Sequence, residues 1–222
     1  MRSTFKTQRL TVSAVMLAFA TVLALVCEFI PFLNLPFGGG FTVASMLPIV
    51  IISYMYGLKW GFFVSFTYSV IQVLMSLIMG KTALALFTPT SDDYMGIGIA
   101  FAIIAIDYLI AYTVLGIGGI FRNAIKSKVL AIVLGVVVAL TLRYFCHVVS
   151  GYIFYGAWAE WFFSQEGFYA VGEKILGRFS GKGLALLYSI FYNGLYMIPE
   201  IIITAIAASI VSPISAIKKM TK

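Results

Sequence analysis

The amino-acid sequence predicts an all-α integral membrane protein with six transmembrane helices and both termini in the cytoplasm. Of its 222 residues, 62% are hydrophobic and only 10% are charged, and the mean hydropathy is +1.04. A soluble domain of this length does not need so much apolar surface, whereas a bundle of membrane helices needs it to contact lipid. Six apolar stretches and an uneven distribution of basic residues give the number and orientation of the helices.

Apolar stretches of about 20 residues span a bilayer, and six stretches come near this length. The first is too long for the apolar core of a signal peptide and lacks a small-residue cleavage site, so we interpret it as a retained helix. The second is short, which predicts irregular backbone beside it. Together they form one membrane domain, 1–222, with spans at 10–30, 42–56, 60–79, 96–121, 129–155 and 184–211.

Basic residues accumulate in the cytoplasmic loops of membrane proteins. With the N-terminus inside, the inside segments hold ten Lys and Arg residues and the outside loops hold four, while none of the eight acidic residues lies in an inside loop. We therefore place both termini in the cytoplasm. The net charge of +7 reflects this asymmetry and does not indicate nucleic-acid binding.

The largest loop, 156–183, lies outside in this topology and is rich in aromatic residues such as Trp158, Trp161, Phe162 and Phe163. It is too apolar for a disordered linker. We expect an amphipathic segment at the mouth of the bundle or at the membrane interface. There it either caps a ligand or forms an aromatic belt.

Ionisable side chains inside the predicted spans mark a candidate site, because each costs on the order of 2.5–3.5 kcal/mol at the membrane centre. Asp107 lies in the outer half of the fourth span, and Arg143 and His147 lie in the outer half of the fifth. One interpretation is an Asp107–Arg143 ion pair that only holds helices together. The other is a polar site open to the outside, in which Arg143 holds the aspartate in place.

Tyrosines and amides in the outer halves of the spans favour the second interpretation. A lone carboxylate among aromatic rings suits a flat, cationic, nitrogen-rich ring, which stacks on tyrosine faces and needs an opposite charge. The amides of Gln72 and Asn193 can donate to and accept from such a ring. For any single tyrosine, core packing is an equal alternative. The aromatic candidates are Tyr68, Tyr108, Tyr155 and Tyr188.

Catalysis and metal binding find little support in the sequence. One histidine without a nucleophile in a recognisable setting argues against a hydrolase, and one His with one Asp is a poor metal set. Cys27 and Cys146 are interpreted as small buried residues. Glu28 is interpreted as an interfacial residue, and Glu200 receives no functional assignment. We expect no metal and no cofactor.

Ala14 and Ala18 place small residues four apart on one face of the first span. Such a face lets another membrane helix approach closely, although the same spacing also serves internal packing.

Two motifs give the chain a resemblance to a known family. One is the run 142–151, with the pattern basic-Tyr-x-x-His-x-x-x-Gly, and the other is Tyr-Ser-x-x-x-Asn from Tyr188 to Asn193. Asp107-Tyr108 and the glycines at 38–40 also fit. In these motifs the chain resembles the thiamine-specific substrate-binding (S) components of energy-coupling factor (ECF) vitamin transporters, the ThiT-type proteins.

The resemblance implies a six-helix, S-component-like bundle in the plasma membrane of a bacterium, with thiamine as the transported ligand. It implies that Ala14 and Ala18 contact a transmembrane coupling protein that joins two cytoplasmic ATPases, so the chain itself is not an enzyme. The residues implied to line an outward-facing pocket are Asp107, Tyr108, His147, Tyr155, Tyr188 and Asn193.

Departures from the family pattern leave the ligand open. Asp107 is shorter by a methylene than the Glu that relatives can have, and Tyr68 and Tyr155 stand where some relatives have tryptophan. Alternatives are an S component for another vitamin or precursor, such as hydroxymethylpyrimidine or riboflavin, an intramembrane enzyme that uses His147 and Asp107, or a structural scaffold.

Overall fold

The computed structural model describes residues 2–35, 39–80 and 82–213. Within these ranges the chain forms helices and loops, and its one strand-like feature is an isolated bridge between Asn34 and Gly40. Short helical turns connect the main helices at Pro31–Leu33, Thr82–Ala85, Gly156–Trp158 and Glu166–Phe168. The main helices are α1 (Arg2–Glu28), α2 (Leu47–Tyr56), α3 (Leu58–Ile78), α4 (Ile97–Gly119), α5 (Lys128–Phe154), α6 (Ala159–Phe163), α7 (Tyr169–Leu176) and α8 (Gly181–Val211).

Five of these helices, α1, α3, α4, α5 and α8, are long and apolar enough to cross a membrane. At most 39% of the residues in any of their apolar stretches are buried within the protein. The remaining apolar surface is explained by lipid, since a soluble protein seldom exposes large apolar patches. The prediction of an all-α membrane protein is confirmed.

Helix α2 differs from the other predicted spans. Its 10 residues measure about 15 Å, roughly half the thickness of the hydrocarbon core, and nine of the ten are buried in protein. The count of six spans therefore stays a prediction, as does the cytoplasmic position of the termini. The C-terminal lysines 218, 219 and 222 lie outside the described residues.

The segment that leads into α2, residues 39–46, has an irregular backbone. Val43 and Ala44 adopt positive φ angles of 42° and 63°, which non-glycine residues seldom do. The irregular backbone expected beside the short second span is confirmed.

Helix α4 changes its winding three times along its length. An α-helical start, Ile97–Ile103, gives way to a π-helix over Ile104–Ile110, then to Ala111–Thr113 and a 3₁₀ turn over Val114–Gly119. Such wide π turns are frequent at functional sites. Asp107, near the middle of this turn, is one of the residues that the sequence selects as a candidate.

Helix α5 packs very closely against α4 on one side and α8 on another. A Cβ atom on Gly135 would clash with the carbonyl oxygen of Gly118, and one on Gly151 would clash with Oγ of Ser189. These glycines therefore fix the distance and the register of three helices.

The loop 156–183 contains α6 and α7 and covers one end of α8. Phe162 and Phe163 are buried, whereas Trp161 and Val171 are exposed. This two-sided arrangement is the amphipathic one expected from the sequence.

Candidate ligand-binding site

A cavity of about 370 Å³ lies at the end of the bundle where α1, α3 and α5 end and α8 begins. This volume falls in the range of cavities that hold small molecules. Its wall comes from α1, α3, α4, α5, α8 and residues 39–42. The candidate residues that it brings together are Gln72, Asp107, Tyr108, Arg143, His147, Tyr155, Tyr188 and Asn193.

The carboxylate of Asp107 has two partners on α5. The Nδ1 atom of His147 lies 2.9 Å from Oδ1, and the Ser150 hydroxyl donates to Oδ2 at 2.6 Å. Because a carboxylate only accepts, the hydrogen between His147 and Asp107 belongs to Nδ1. These contacts orient the carboxylate at the wall of the cavity.

The other ring nitrogen of His147 is available to a ligand. Nε2 is buried and has no hydrogen-bond partner within the described chain, and the residue lines the cavity. With Nδ1 protonated, Nε2 of the neutral ring is an acceptor. His147 thus contacts Asp107 through Nδ1 and presents Nε2 to the cavity as a hydrogen-bond acceptor.

Gln72 of α3 also presents an unsatisfied group to the cavity. Its Nε2 atom is buried and, among the described residues, has no hydrogen-bond partner. Gln72 and His147 therefore both bring an unpartnered polar atom to the same cavity, which is the situation that a polar ligand relieves.

Asn193 mainly connects α8 to α5. Its Nδ2 group donates to the carbonyl oxygens of His147 at 3.2 Å and Ser189 at 2.9 Å, and its Oδ1 accepts from the Tyr196 hydroxyl at 2.6 Å. One lone pair of Oδ1 is left for a ligand. Direct reading of a bound ring by Asn193 stays a prediction.

Tyrosines form an aromatic wall along α8. The rings of Tyr188 and Tyr192 lie 5.7 Å apart, and Phe162 from α6 packs against Tyr188 at 5.3 Å. Tyr188, Tyr192, Asn193 and Tyr196 all line the cavity, which therefore reaches far around this helix. Across the cavity, the Tyr108 hydroxyl lies 3.0 Å from the hydroxyl of Ser76.

Tyr68 does not line the cavity, contrary to the prediction. It is fully buried, its hydroxyl lies 3.5 Å from the carbonyl oxygen of Ala20, and its ring meets Tyr112 edge-on at 5.4 Å. It lies one turn deeper than Gln72 on α3, and Tyr112 lines the cavity in its place. Tyr68 therefore packs behind Tyr112 and supports the wall of the cavity without facing it.

Arg143 forms no ion pair with Asp107, which corrects the predicted supporting pair. Its Cζ atom lies 4.2 Å from the centre of the Tyr112 ring, and its Nη1 lies 2.9 Å from the sulfur of Met46. The register of α4 against α5 explains this. Asp107 stands level with His147 and Ser150, one to two turns along α5 from Arg143, while Tyr112 stands level with Arg143.

Two further carboxylates lie near the cavity, and sequence reasoning did not assign them to it. Glu28, interpreted as interfacial, lines the cavity. Asp93 lies in the loop before α4, within electrostatic range of Tyr155 and Tyr188. Burial, with a contribution from Asp92, raises the pKa of the Asp93 carboxyl. Glu28 and Asp93 both lie at the ends of spans that carry the site, and this position in the sequence could have indicated their proximity to it.

Backbone from the segment before α2 completes the wall. Residues 39–42 line the cavity, and a Cβ atom on Gly39 would lie 2.9 Å from the Tyr196 ring. In the sequence, only the glycines at 38–40 point to this segment.

Ala14 and Ala18 do not line the cavity and lie on the exposed side of α1. Their contact with a coupling partner stays a prediction.

Comparison with known proteins bears out the resemblance seen in the sequence. The profile of the family described as "Thiamine transporter protein (Thia_YuaJ)" matches residues 10–165. Thiamine transporter ThiT of Bacillus subtilis (strain 168) is 26% identical over 208 residues, which cover 89% of this chain and 86% of that protein. A solved structure of ThiT from Listeria monocytogenes has a similar fold, with a TM-score of 0.57 and 20% identity over 94% of this chain and 97% of that one. Since the profile covers most of its length, this chain belongs to the thiamine transporter family and is a multi-pass protein of the bacterial plasma membrane.

Proposed function

We propose that the chain is the thiamine-binding S component of an ECF-type importer, which takes thiamine from outside the cell and delivers it through partner ATPases. The observation that carries the proposal is the Asp107–His147–Ser150 group in a tyrosine-walled cavity, within a chain of the thiamine transporter family.

The chemistry of thiamine matches the groups in the cavity. Thiamine is a permanent cation made of two linked aromatic rings, one of which carries an amino group. Tyrosine faces attract such a cation with about 0.5–2 kcal/mol per contact, and a carboxylate supplies the opposite charge. Because Arg143 does not pair with Asp107, this arginine does not cancel that charge.

Hydrogen bonding orients the rings in this proposal. The Nε2 atom of His147 accepts from an amino group, and the amide of Gln72 donates to a ring nitrogen. Tyr108, Tyr155 and Tyr188 stack against the rings, with Tyr192 and Tyr196 extending the wall. The bound vitamin thus provides partners for Nε2 of His147 and Nε2 of Gln72, which have none among the described residues.

Delivery requires partners in this proposal, since the cavity offers no energy source. The exposed face of α1 at Ala14 and Ala18 suits close approach of a helix from a coupling protein. That protein joins two cytoplasmic ATPases, which hydrolyse ATP. The cavity lies at the end of the bundle that the basic residues assign to the outside.

Fluorescence titration of the detergent-purified chain with thiamine, from nanomolar to micromolar concentration, tests the proposal. None of the three tryptophans lines the cavity, whereas Tyr108, Tyr155 and Tyr188 do, so tyrosine emission is the informative signal. We expect saturable quenching at a one-to-one ratio. A response only to hydroxymethylpyrimidine or riboflavin in a competition series would keep the transporter and replace the ligand.

Asp107→Asn separates the charge from the shape of the site. Loss of one partner from a buried charge pair costs about 2 kcal/mol or more, so we expect the Kd for thiamine to rise at least ~30-fold. Asp92→Asn, at an exposed position of the neighbouring loop, is the matched control and should bind normally. If Asp107→Asn binds thiamine like the parent, the charge role is wrong. Chemical conversion of bound thiamine would instead favour an enzyme.

A further inference from the structure

A carboxylate on α8 that does not line the cavity is buried and fully hydrogen-bonded. Glu200 is 1% exposed and directly follows Pro199. Its Oε2 accepts from the backbone N–H of Thr42 at 2.8 Å, and its Oε1 accepts from the N–H of Ala44 at 3.1 Å. The hydroxyls of Thr42 and Thr204 donate to Oε1, each at 3.2 Å.

The backbone that Glu200 holds is strained. Val43 and Ala44 both lie in the left-handed region, with φ of 42° and 63°, where a Cβ atom is disfavoured. In this turn the N–H groups of Thr42 and Ala44 point to the same side and donate to the two oxygens of one carboxylate, as in a small anion-binding concavity. The Glu200 carboxylate occupies that concavity. Without an anion, two buried N–H groups would lose their partners and the strained turn would lose its support.

This turn directly adjoins the wall of the cavity. Residues 39–42, immediately before it, line the cavity, and Gly39 packs against the ring of Tyr196. On the other side of the turn, the sulfur of Met46 contacts Arg143. A shift of the turn would therefore move residues 39–42 in the wall of the cavity together with Met46, which contacts Arg143.

We propose that Glu200 is a positioning residue of the binding site, whose carboxylate fixes the left-handed turn at Val43 and Ala44 and so holds residues 39–42 in place as a wall of the cavity. The proposal rests on the proposed function for the identity of the ligand, thiamine. The anchoring of the turn itself does not depend on any ligand.

Two measurements on the full chain in detergent test the proposal. Hydrogen exchange of peptides that cover residues 39–46, recorded without ligand, reports whether the turn is held. The Kd for thiamine reports whether the wall is in place. In Glu200→Gln, which keeps the shape but loses an acceptor and the charge, we expect at least tenfold faster exchange at 39–46 and at least a tenfold higher Kd. Thr204→Val removes a hydrogen bond to the same oxygen from within α8, and should change both quantities less than threefold.

Relief of the backbone strain should rescue the variant. Glycine adopts positive φ at no steric cost, so Ala44→Gly in the Glu200→Gln background should recover at least half of the lost protection and affinity, on logarithmic scales. General damage to the packing of α8 would not respond to a change at residue 44. Absence of rescue would therefore overturn the positioning role.

Other outcomes are equally decisive. Unchanged exchange at 39–46 in Glu200→Gln would show that the carboxylate does not hold the turn. Faster exchange with an unchanged Kd would show that the turn does not position the wall. If the parent itself ignores thiamine, the proposed function fails, while the exchange data still decide whether Glu200 anchors the turn. If Glu200→Gln does not fold, Glu200→Asp, which draws the carboxylate back by a methylene, takes its place with the same expected direction.

Discussion

At the scale of single residues, the two oxygens of Asp107 have different partners. Oδ1 contacts the imidazole of His147 and Oδ2 accepts from the hydroxyl of Ser150. Both partners belong to the last turns of α5, so one helix sets the direction of the carboxylate. The Ser150 hydrogen bond can be removed without changing the charge of the site.

Ser150→Ala should weaken thiamine binding while the protein still folds. A hydrogen bond to a charged group contributes about 1.5–3 kcal/mol. Since water compensates for part of this loss, we expect the Kd, measured by the same fluorescence titration, to rise about tenfold, which is about 1.4 kcal/mol. Ser69→Ala, another buried serine that bonds only within α3, should leave the Kd unchanged. Tighter binding by Ser150→Ala would mean that the hydroxyl competes with the ligand for Asp107.

At the scale of helices, the approach of α5 to α4 determines which side chains meet in the cavity. Contact of Gly135 with Gly118 at the far end fixes the register that brings Asp107 level with His147. Packing far from the cavity therefore supports the geometry of the site.

Gly135→Ala should destabilise the protein, because the added methyl group would clash with the carbonyl oxygen of Gly118. Overpacking of this kind costs about 1–3 kcal/mol, so we expect the midpoint of thermal unfolding in detergent to fall by several degrees. Gly98→Ala is the matched control, because no atom lies within 4 Å of its new Cβ and the position is helical and exposed. Equal midpoints for the two variants would mean that α4 and α5 separate freely.

Sequence reasoning recovered the long helices because hydropathy is a local property. The predicted stretches at 129–155 and 184–211 differ by at most three residues from the ends of α5 and α8. The sequence did not predict the π turn of α4, and it predicted irregular backbone before α2 without its left-handed geometry. Glu200 stabilises the left-handed turn from 156 to 158 residues away, and no local pattern encodes such a contact.

Sequence reasoning identified most residues of the site, but not which of them are in contact with each other. Depth along each span placed Asp107, Arg143 and His147 near one another, and all three line one cavity. Which of them touch depends on the register of antiparallel helices, and a difference of about two turns along α5 exchanged Arg143 for Ser150 as a partner of Asp107. A smaller difference, of about one turn, separates Tyr68, which is covered by Tyr112, from Gln72, which lines the cavity.

At the scale of the whole molecule, the site lies entirely at one end of the bundle. The carboxylates of Glu28, Asp93 and Asp107 lie at this end, and the basic residues Arg9 and Lys59 lie in the N-terminal parts of α1 and α3, toward the other. This distribution attracts a cationic ligand to the end that we predict to be outside.

Cysteine labelling in intact cells tests the orientation. In a background with Cys27→Ala and Cys146→Ala, a membrane-impermeant maleimide should label Glu166→Cys, in the loop 156–183. It should label Asn123→Cys, between α4 and α5, only after permeabilisation. Both positions are exposed, so access to each depends on the side of the membrane. The reverse pattern of labelling would invert the topology and place the cavity inside.

The π turn of α4 affects how the protein tolerates changes in chain length. Such a turn closes its hydrogen bonds one residue later than an α turn, so a deletion of one residue within Ile104–Ile110 would give a regular helix. Because the wide turn already accommodates the extra residue, the two parts of α4 would keep nearly the same relative orientation, and Gly118 would keep its place against Gly135. A deletion in the α-helical start of α4 would instead rotate everything after it by about 100°. The π turn is therefore the part of α4 where the loss of one residue would disturb the packing of the bundle least, with its effects confined to the neighbourhood of Asp107.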